Sequence, residues 1–371
     1  MNEGKKWCIL VAACAVTLCL LLGGVIAIVD PYFHYHAPLE SMEYPLDNQR
    51  YQNDGIVKHF DYNAIITGTS MTENFCASDL DRLFGVESIK VSFSGGSYKE
   101  INDTLCRAIE ANKEIRMIVR SLDIYMLFHD KNYMHESFKY PYYLYDDNVF
   151  NDVEYLLSRD VLVKDVHKVI KHTRDGNQTT DFDTYSSWSA MFPCSKKSVF
   201  RRYIRPEQST EQLQWSEDIQ SRVQGNVIQN VITLAKENPD VDFYYYFPPY
   251  SIVWWDCQMQ KGSAERQLEA LEYASKLILD VDNIHLFAFL MDRDVITDLD
   301  NYKDSEHHSA EINRYILECM KDGKFLLTKE NCESYWKEAQ EFLLGFDYDA
   351  YLEQMGYYSM EEDTDGTELK S

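Results

Sequence analysis

From residue 62 onward the chain alternates short, largely apolar segments with longer amphipathic ones. Residues 62–67 (YNAIIT), 88–93 (SIKVSF), 115–122 (IRMIVRSL), 241–247 (VDFYYYF) and 284–290 (IHLFAFL) read as strands. They are too short for buried helices and are bounded by Gly, Pro, Ser and Asp. Several lack the in–out alternation of a one-sided sheet, which predicts burial on both faces. Helical spacing runs through 70–84, the segment ending near 112, 267–279 and 309–320. The pattern predicts an α/β fold, a flavodoxin-like three-layer α/β/α sandwich with a five-stranded, mainly parallel sheet. In such sheets function gathers beyond the carboxyl ends of the strands.

Residues 7–29 are apolar and uncharged, long enough to cross a bilayer as a helix. Lys5 and Lys6 precede the run and Asp30 follows it, so the positive-inside rule puts the N-terminus in the cytoplasm and the rest outside. The rival is a cleaved signal peptide, and Val11-Ala12-Ala13-Cys14 resembles a lipoprotein cleavage box. A short apolar run before that cysteine and a long one after it favour an uncleaved, single-pass anchor in the cell membrane.

The remaining boundaries follow from this frame. Residues 1–29 form the cytoplasmic stub and transmembrane anchor, and 30–60, rich in Tyr, His and Pro, a linker or arm. Residues 61–128 and 238–323 form the sheet domain. Residues 129–237 interrupt it between the third and fourth strands, and an insertion of that length at the active edge reads as a cap. Residues 324–371 hold a helix over 330–344 and an acidic, fraying tail from 360.

The net charge of −25 leaves no basic stripe to neutralise phosphates, which disfavours nucleic acid and polyanionic polymers as partners. A neutral glycan or a cationic group suits such a surface better, although solubility alone would also account for it. Six of the nine cysteines lie beyond the anchor without CxxC or metal-ligand spacing, so disulfides and buried thiols both stay open. His34-Tyr35-His36 and His307-His308 lack zinc spacing, and neither a P-loop nor GxGxxG occurs. No metal or cofactor is expected. Asn102-Asp103-Thr104 and Asn177-Gln178-Thr179 are glycosylation sequons.

Two pieces carry chemistry. Gly68-Thr69-Ser70 ends the first strand, and Asp304-Ser305-Glu306-His307 follows the fifth. A serine hydroxyl needs a base to become a nucleophile, and a carboxylate three residues before a histidine can fix its tautomer. Ser70-x-x-Glu73 also matches a capping box, in which the serine merely caps a helix. His308 competes with His307, but the spacing to Asp304 favours His307. Gly95-Gly96 after the second strand offers a backbone N–H to an oxyanion, or simply a tight turn. Tyr250, Trp254 and Trp255 are candidates for an acyl or sugar subsite, against a core strand and its exit loop.

In type and order these residues resemble the SGNH (GDSL-like) hydrolase superfamily. Gly68-Thr69-Ser70 is similar to its Gly-Asp-Ser block with Thr for Asp, and Asp304-x-x-His307 to its last block. Gly96 falls at the oxyanion glycine. The third block, Gly-x-Asn-Asp, is replaced by Ser121-Leu122-Asp123, where Asp123 is the substitute and donates to an oxyanion only if protonated. The anchor, the Gly-Thr-Ser block and the missing Asn look more like the membrane-anchored branch that modifies cell envelopes, including alginate-type O-acetyltransferases and the D-alanyl transfer protein of teichoic acid operons.

The resemblance implies Ser70 as nucleophile, His307 as base and Asp304 as orienting acid, with Ser70 and Gly96 amides at the oxyanion. The expected activity is that of an O-acyltransferase or esterase on a cell-surface glycan or polymer, with a membrane-bound acyltransferase as partner. The alternative is a non-catalytic envelope protein on the same fold that binds a glycan or such a partner.

Overall fold

The computed structural model describes residues 2–135 and 140–359, so the expected acidic tail lies outside the described residues. The chain is α/β and divides into two compact units. One comprises Met1–Asp61, Thr104–Lys113 and Glu136–Ser186, the other Tyr62–Asp103, Glu114–His135 and Ser187–Ser371.

The second unit holds a six-stranded sheet of β1 (Ala64–Gly68), β2 (Ser88–Ser92), β3 (Met117–Ser121), β4 (Asp242–Phe247), β5 (Ile284–Ala288) and β6 (Leu326–Leu327). Their order is β2-β1-β3-β4-β5-β6. The first five are mutually parallel, in registers such as Ile66 beside Lys90 and Val119, and β6 joins β5 antiparallel through Leu286–Leu327. A two-residue strand carries no periodicity, so the sixth strand was illegible in the sequence. β1, β2 and β3 are buried at every position, including the alternating Ser88-Ile89-Lys90-Val91-Ser92 of β2, where Lys90 Nζ donates to the Glu73 and Phe75 carbonyls at 2.6 and 2.7 Å.

The pleat sends alternate residues to opposite helix layers. Ala64, Ile66, Met117, Val119, Tyr246 and Phe287 face one core, where Leu80 and Ile316 arrive from helices Ala77–Phe84 and Ala310–Asp322. Helix Ala264–Ile278 buries Leu268, Leu271, Ala274 and Ile278 and packs against β5. Ser309 caps the start of Ala310–Asp322 by accepting from the Ile312 amide, and Gly323 closes its end at φ 71°.

One expected element changes. The helix expected over 70–84 is a single 3-10 turn, Ser70–Thr72, then a loop and the helix Ala77–Phe84. The arm at 30–60 contains helix Gln49–His59 and belongs to the first unit, along with the Glu136–Ser186 part of the expected cap. The rest of that segment, 129–135 and 187–237, belongs to the sheet unit. Asn102 lies buried in helix Tyr98–Ala111, a poor position for a glycan acceptor.

The first unit opens with helix Glu3–Val29, the one helix among the described residues long and apolar enough to cross a membrane. Asp30 ends it in the left-handed region at φ 45°. The buried Asp30 carboxylate accepts from the His34, Tyr35 and His36 amides at 3.0, 2.7 and 3.1 Å. A carboxylate holding three amides explains why the His-Tyr-His run folds back tightly after the helix.

Candidate active site

The Ser70 turn is built by β1. Gly68 ends the strand at φ 150°, and a side chain there would collide with Ser121 Oγ and Thr72 Cγ2. The cap of the 3-10 turn is Thr69, whose hydroxyl accepts from the Met71 amide at 3.4 Å. Ser70 is thereby relieved of the capping role that its Ser-x-x-Glu spacing suggested. It stands half-buried, with Oγ 2.8 Å from His307 Nε2.

His307 sits in the loop between the 3-10 turn Leu299–Asn301 and helix Ala310–Asp322. The Asp304 carboxylate closes this loop on itself, accepting from the Glu306 and His307 amides at 2.9 and 2.8 Å. His307 Nδ1 lies 2.9 Å from each Asp304 oxygen. With Nδ1–H donated to the carboxylate, Nε2 is left to face Ser70. Burial pushes the Asp304 carboxyl up, but the His307 contacts outweigh it and hold the carboxyl at about 2.

His308 points into the core. It is buried, and burial holds its pKa down to about 3 against the upward pull of the Ser309 backbone. The choice between the two histidines therefore falls on His307.

Residues the sequence did not mark hold the loop in place. The buried Tyr302 hydroxyl donates to the Pro249 carbonyl at 2.6 Å, and Ser251 Oγ donates to the Ser305 carbonyl at 2.7 Å. Trp188 meets the His307 ring edge-on, with centroids 5.9 Å apart, and its amide donates to Asn74 Oδ1 at 3.1 Å. Lys303 Nζ lies over the Trp188 ring at 3.7 Å. Trp188, Phe192, Cys194, Asn301 and Glu311 line a cavity of about 590 Å³. Pro249, Ser251 and Trp188 lie more than fifty positions from the loop residues they touch, so no local pattern reports them.

Asp123 occupies the end of β3 as a buried acceptor. Thr69 Oγ1 and Ser121 Oγ donate to one of its oxygens at 2.9 and 3.0 Å, and the Tyr250 hydroxyl donates to the other at 2.9 Å. Burial raises its carboxyl, against the pull of these three hydroxyls and of His307. An oxygen pair that receives three hydroxyls is an organiser of the Ser70 turn, which corrects its expected place among oxyanion donors. Tyr250 and Trp255 are wholly buried and Trp254 nearly so, which makes them core rather than subsite residues. Tyr250 serves the site by holding Asp123.

Gly96 requires a second correction. Its amide already donates to the Phe93 carbonyl at 2.7 Å, and a Cβ there would crowd Phe93 and Glu100. The turn reading of this glycine prevails. Gly95, at φ 62°, is the neighbour whose amide has no acceptor among the described residues. Beside His307 lies one more carboxyl, Glu306, raised by burial. Asp304 and Asp123 push it up further, while His307 and Trp254 pull it down.

No family model, curated protein or solved structure matches this chain. All nine cysteines are free thiols in this structure, and no group of His, Cys, Asp and Glu among the described residues has metal-binding geometry.

Proposed function

We propose that this chain is a membrane-anchored, extracytoplasmic serine-dependent acyl-transfer enzyme on a flavodoxin-like, SGNH-type scaffold. Its substrate is a cell-surface glycan or envelope polymer. The observation that carries the reading is the unbroken relay from Ser70 Oγ to His307 Nε2 at 2.8 Å and from His307 Nδ1 to Asp304 at 2.9 Å. The strand order β2-β1-β3-β4-β5 and the anchor helix support the family assignment and the cell-surface setting.

His307 takes the Ser70 proton as Oγ attacks the acyl carbonyl. The tetrahedral oxyanion is met by the Ser70 and Gly95 amides. As the intermediate collapses, His307 returns the proton to the leaving oxygen and the acyl group stays on Ser70. A sugar hydroxyl or water, deprotonated by the same nitrogen, then takes the acyl group away, and that proton returns to Ser70 Oγ. Asp304 stays ionised throughout and steadies the imidazolium. The net charge of −25 favours a neutral or cationic acceptor and disfavours nucleic acid. A membrane-bound acyltransferase is the natural donor partner for an anchored protein.

The test is labelling of the full chain with a fluorophosphonate, beside Ser70→Ala and His307→Ala. Labelling is expected to require both side chains and to fall by about 10³-fold or more in either variant. Stability should change by less than about 0.5 kcal/mol in Ser70→Ala, since that hydroxyl caps nothing. Undiminished labelling of folded Ser70→Ala would remove the nucleophile assignment. Absence of labelling in the unmodified chain would favour the binding-protein reading, which the lack of a side-chain oxyanion donor at Asp123 supports.

A further inference from the structure

The strongest feature outside the site lies in the first unit. Residues 149–157 (VFNDVEYLL) present Val149, Phe150, Val153 and Leu157 to solvent, with Phe150 88% and Val149 71% exposed. This is more contiguous apolar surface than a water-facing loop normally carries. The segment is not loosely attached. Tyr155 is fully buried, donates to Asp30 at 2.7 Å and stacks on Tyr32 with centroids 5.4 Å apart. His34 Nε2 and the Tyr35 hydroxyl lie 3.3 and 3.0 Å from Asp152. The loop is therefore clamped to the end of helix Glu3–Val29 by buried polar contacts.

Its depth along that helix decides what surrounds it. A Cβ on Gly23 would stand 3.5 Å from Leu156, so the loop meets the helix at Gly23. A hydrocarbon core about 30 Å thick takes about 20 helical residues. Counted from Trp7, just after Lys5 and Lys6, that length ends near Ile26, beyond Gly23. Leu156 and its neighbours thus lie below the outer edge of the hydrocarbon. Between helix and loop runs a groove of about 700 Å³, lined by Val16, Cys19, Leu20, Val149, Phe150 and Val153. At 1.5 Å per residue, Val16 lies about 15 Å below Ile26, so the groove spans one leaflet. Glu154 is the one exposed charge in the segment and sets the edge that must stay among the headgroups.

We propose that residues 149–157 are a second membrane-embedded element and that the groove beside the anchor helix holds an acyl chain of an outer-leaflet lipid. The inference rests on the helix spanning a bilayer. Two elements inserted side by side would fix the rotation of the first unit about the membrane normal, which a lone anchor leaves free.

The test places the photocrosslinker p-benzoylphenylalanine at Phe150, at Leu18 or at Tyr142 in the full chain. Leu18 is exposed on the helix, and Tyr142 is exposed on the same unit and does not line the groove. The protein is reconstituted in phosphatidylethanolamine–phosphatidylglycerol vesicles, irradiated and weighed. Adducts one phospholipid heavier at positions 18 and 150, but not at 142, are expected. A lipid adduct at 18 without one at 150 overturns the proposal while the anchor stands. A protein adduct at 150 overturns it in favour of a second copy in the groove. Equal lipid adducts at 142 and 150 overturn it as nonspecific contact. Lipid at none of the three overturns the anchor reading and this one together.

Discussion

The Ser70 turn and the His307 loop deliver their groups to one point by opposite means. Ser70 is placed by long-range structure. Gly68 can approach Ser121 only because it has no side chain, and Thr69 hangs from Asp123, 54 positions away. His307 is placed largely by its own neighbours, since Asp304 holds the Glu306 and His307 amides and the imidazole at once. One side of the site is scaffolded by the sheet, and the other is a self-closing loop docked onto it. The two should therefore fail differently when cut.

The largest effect is expected where orientation and electrostatics meet. Asp304→Asn leaves the loop an acceptor but removes the charge behind the imidazole and permits the wrong tautomer. In the serine-protease triad the equivalent change lowers turnover by about 10⁴-fold, and the same scale applies here. Second-order labelling rates with the fluorophosphonate read it. A loss under tenfold would mean that Asp304 only shapes the loop.

Next is the hub on the other side. Asp123→Ala strands the Thr69, Ser121 and Tyr250 hydroxyls in a buried space and should cost about 3 kcal/mol, read as a lowered denaturation midpoint in detergent. Labelling should fall with it, because Thr69 loses its partner one residue from Ser70. A stable variant with full labelling would show that the turn holds itself, erasing the contrast with the loop.

This contrast also sets what was legible in the sequence. Asp304-x-x-His307 was readable because its bonds span three residues. The parallel strands were readable because burial on both faces leaves unbroken apolar runs such as Ile65-Ile66 and Ile118-Val119. Asp123 was noticed as a replacement for an asparagine, yet its three hydroxyl donors come from three different segments and its role emerged only in the fold. Gly96 and Gly95 are equivalent as letters, and only the Phe93 carbonyl separates them. Tyr250, Trp254 and Trp255 form an aromatic run that suits a subsite or a core equally well until burial decides.

The acid limb of stability sharpens the comparison further. The Asp304 carboxyl is held at about 2 against an ordinary 3.8. A depressed carboxylate stabilises the fold above its unfolded value and loses that contribution as pH falls through the folded one. About 2 kcal/mol should therefore disappear between about pH 4 and pH 2. Asp304→Asn should flatten that part of the profile. Asp123, whose carboxyl is raised, has the opposite sign, because protonation relieves its burial and favours the fold. A curve unchanged by Asp304→Asn would assign the acid limb to other carboxylates.

The smallest effect tests how far the loop is self-sufficient. Ser251 touches it twice, through Oγ to the Ser305 carbonyl at 2.7 Å and through its amide to the same oxygen at 3.2 Å. Ser251→Ala removes the first bond and the cap its Oγ gives the Trp254 amide, and leaves the second, so the carbonyl is not stranded and the cost should be about 2 kcal/mol. If Asp304 alone shapes the loop, labelling will be unchanged, since Tyr302 and the remaining amide still dock it. If docking sets the distance from Ser70 to His307, labelling should drop several-fold with Asp304 intact, since small displacements of a positioned base are costly. The second result would make Ser251 the counterpart of Asp123, one long-range tether for each half of the site.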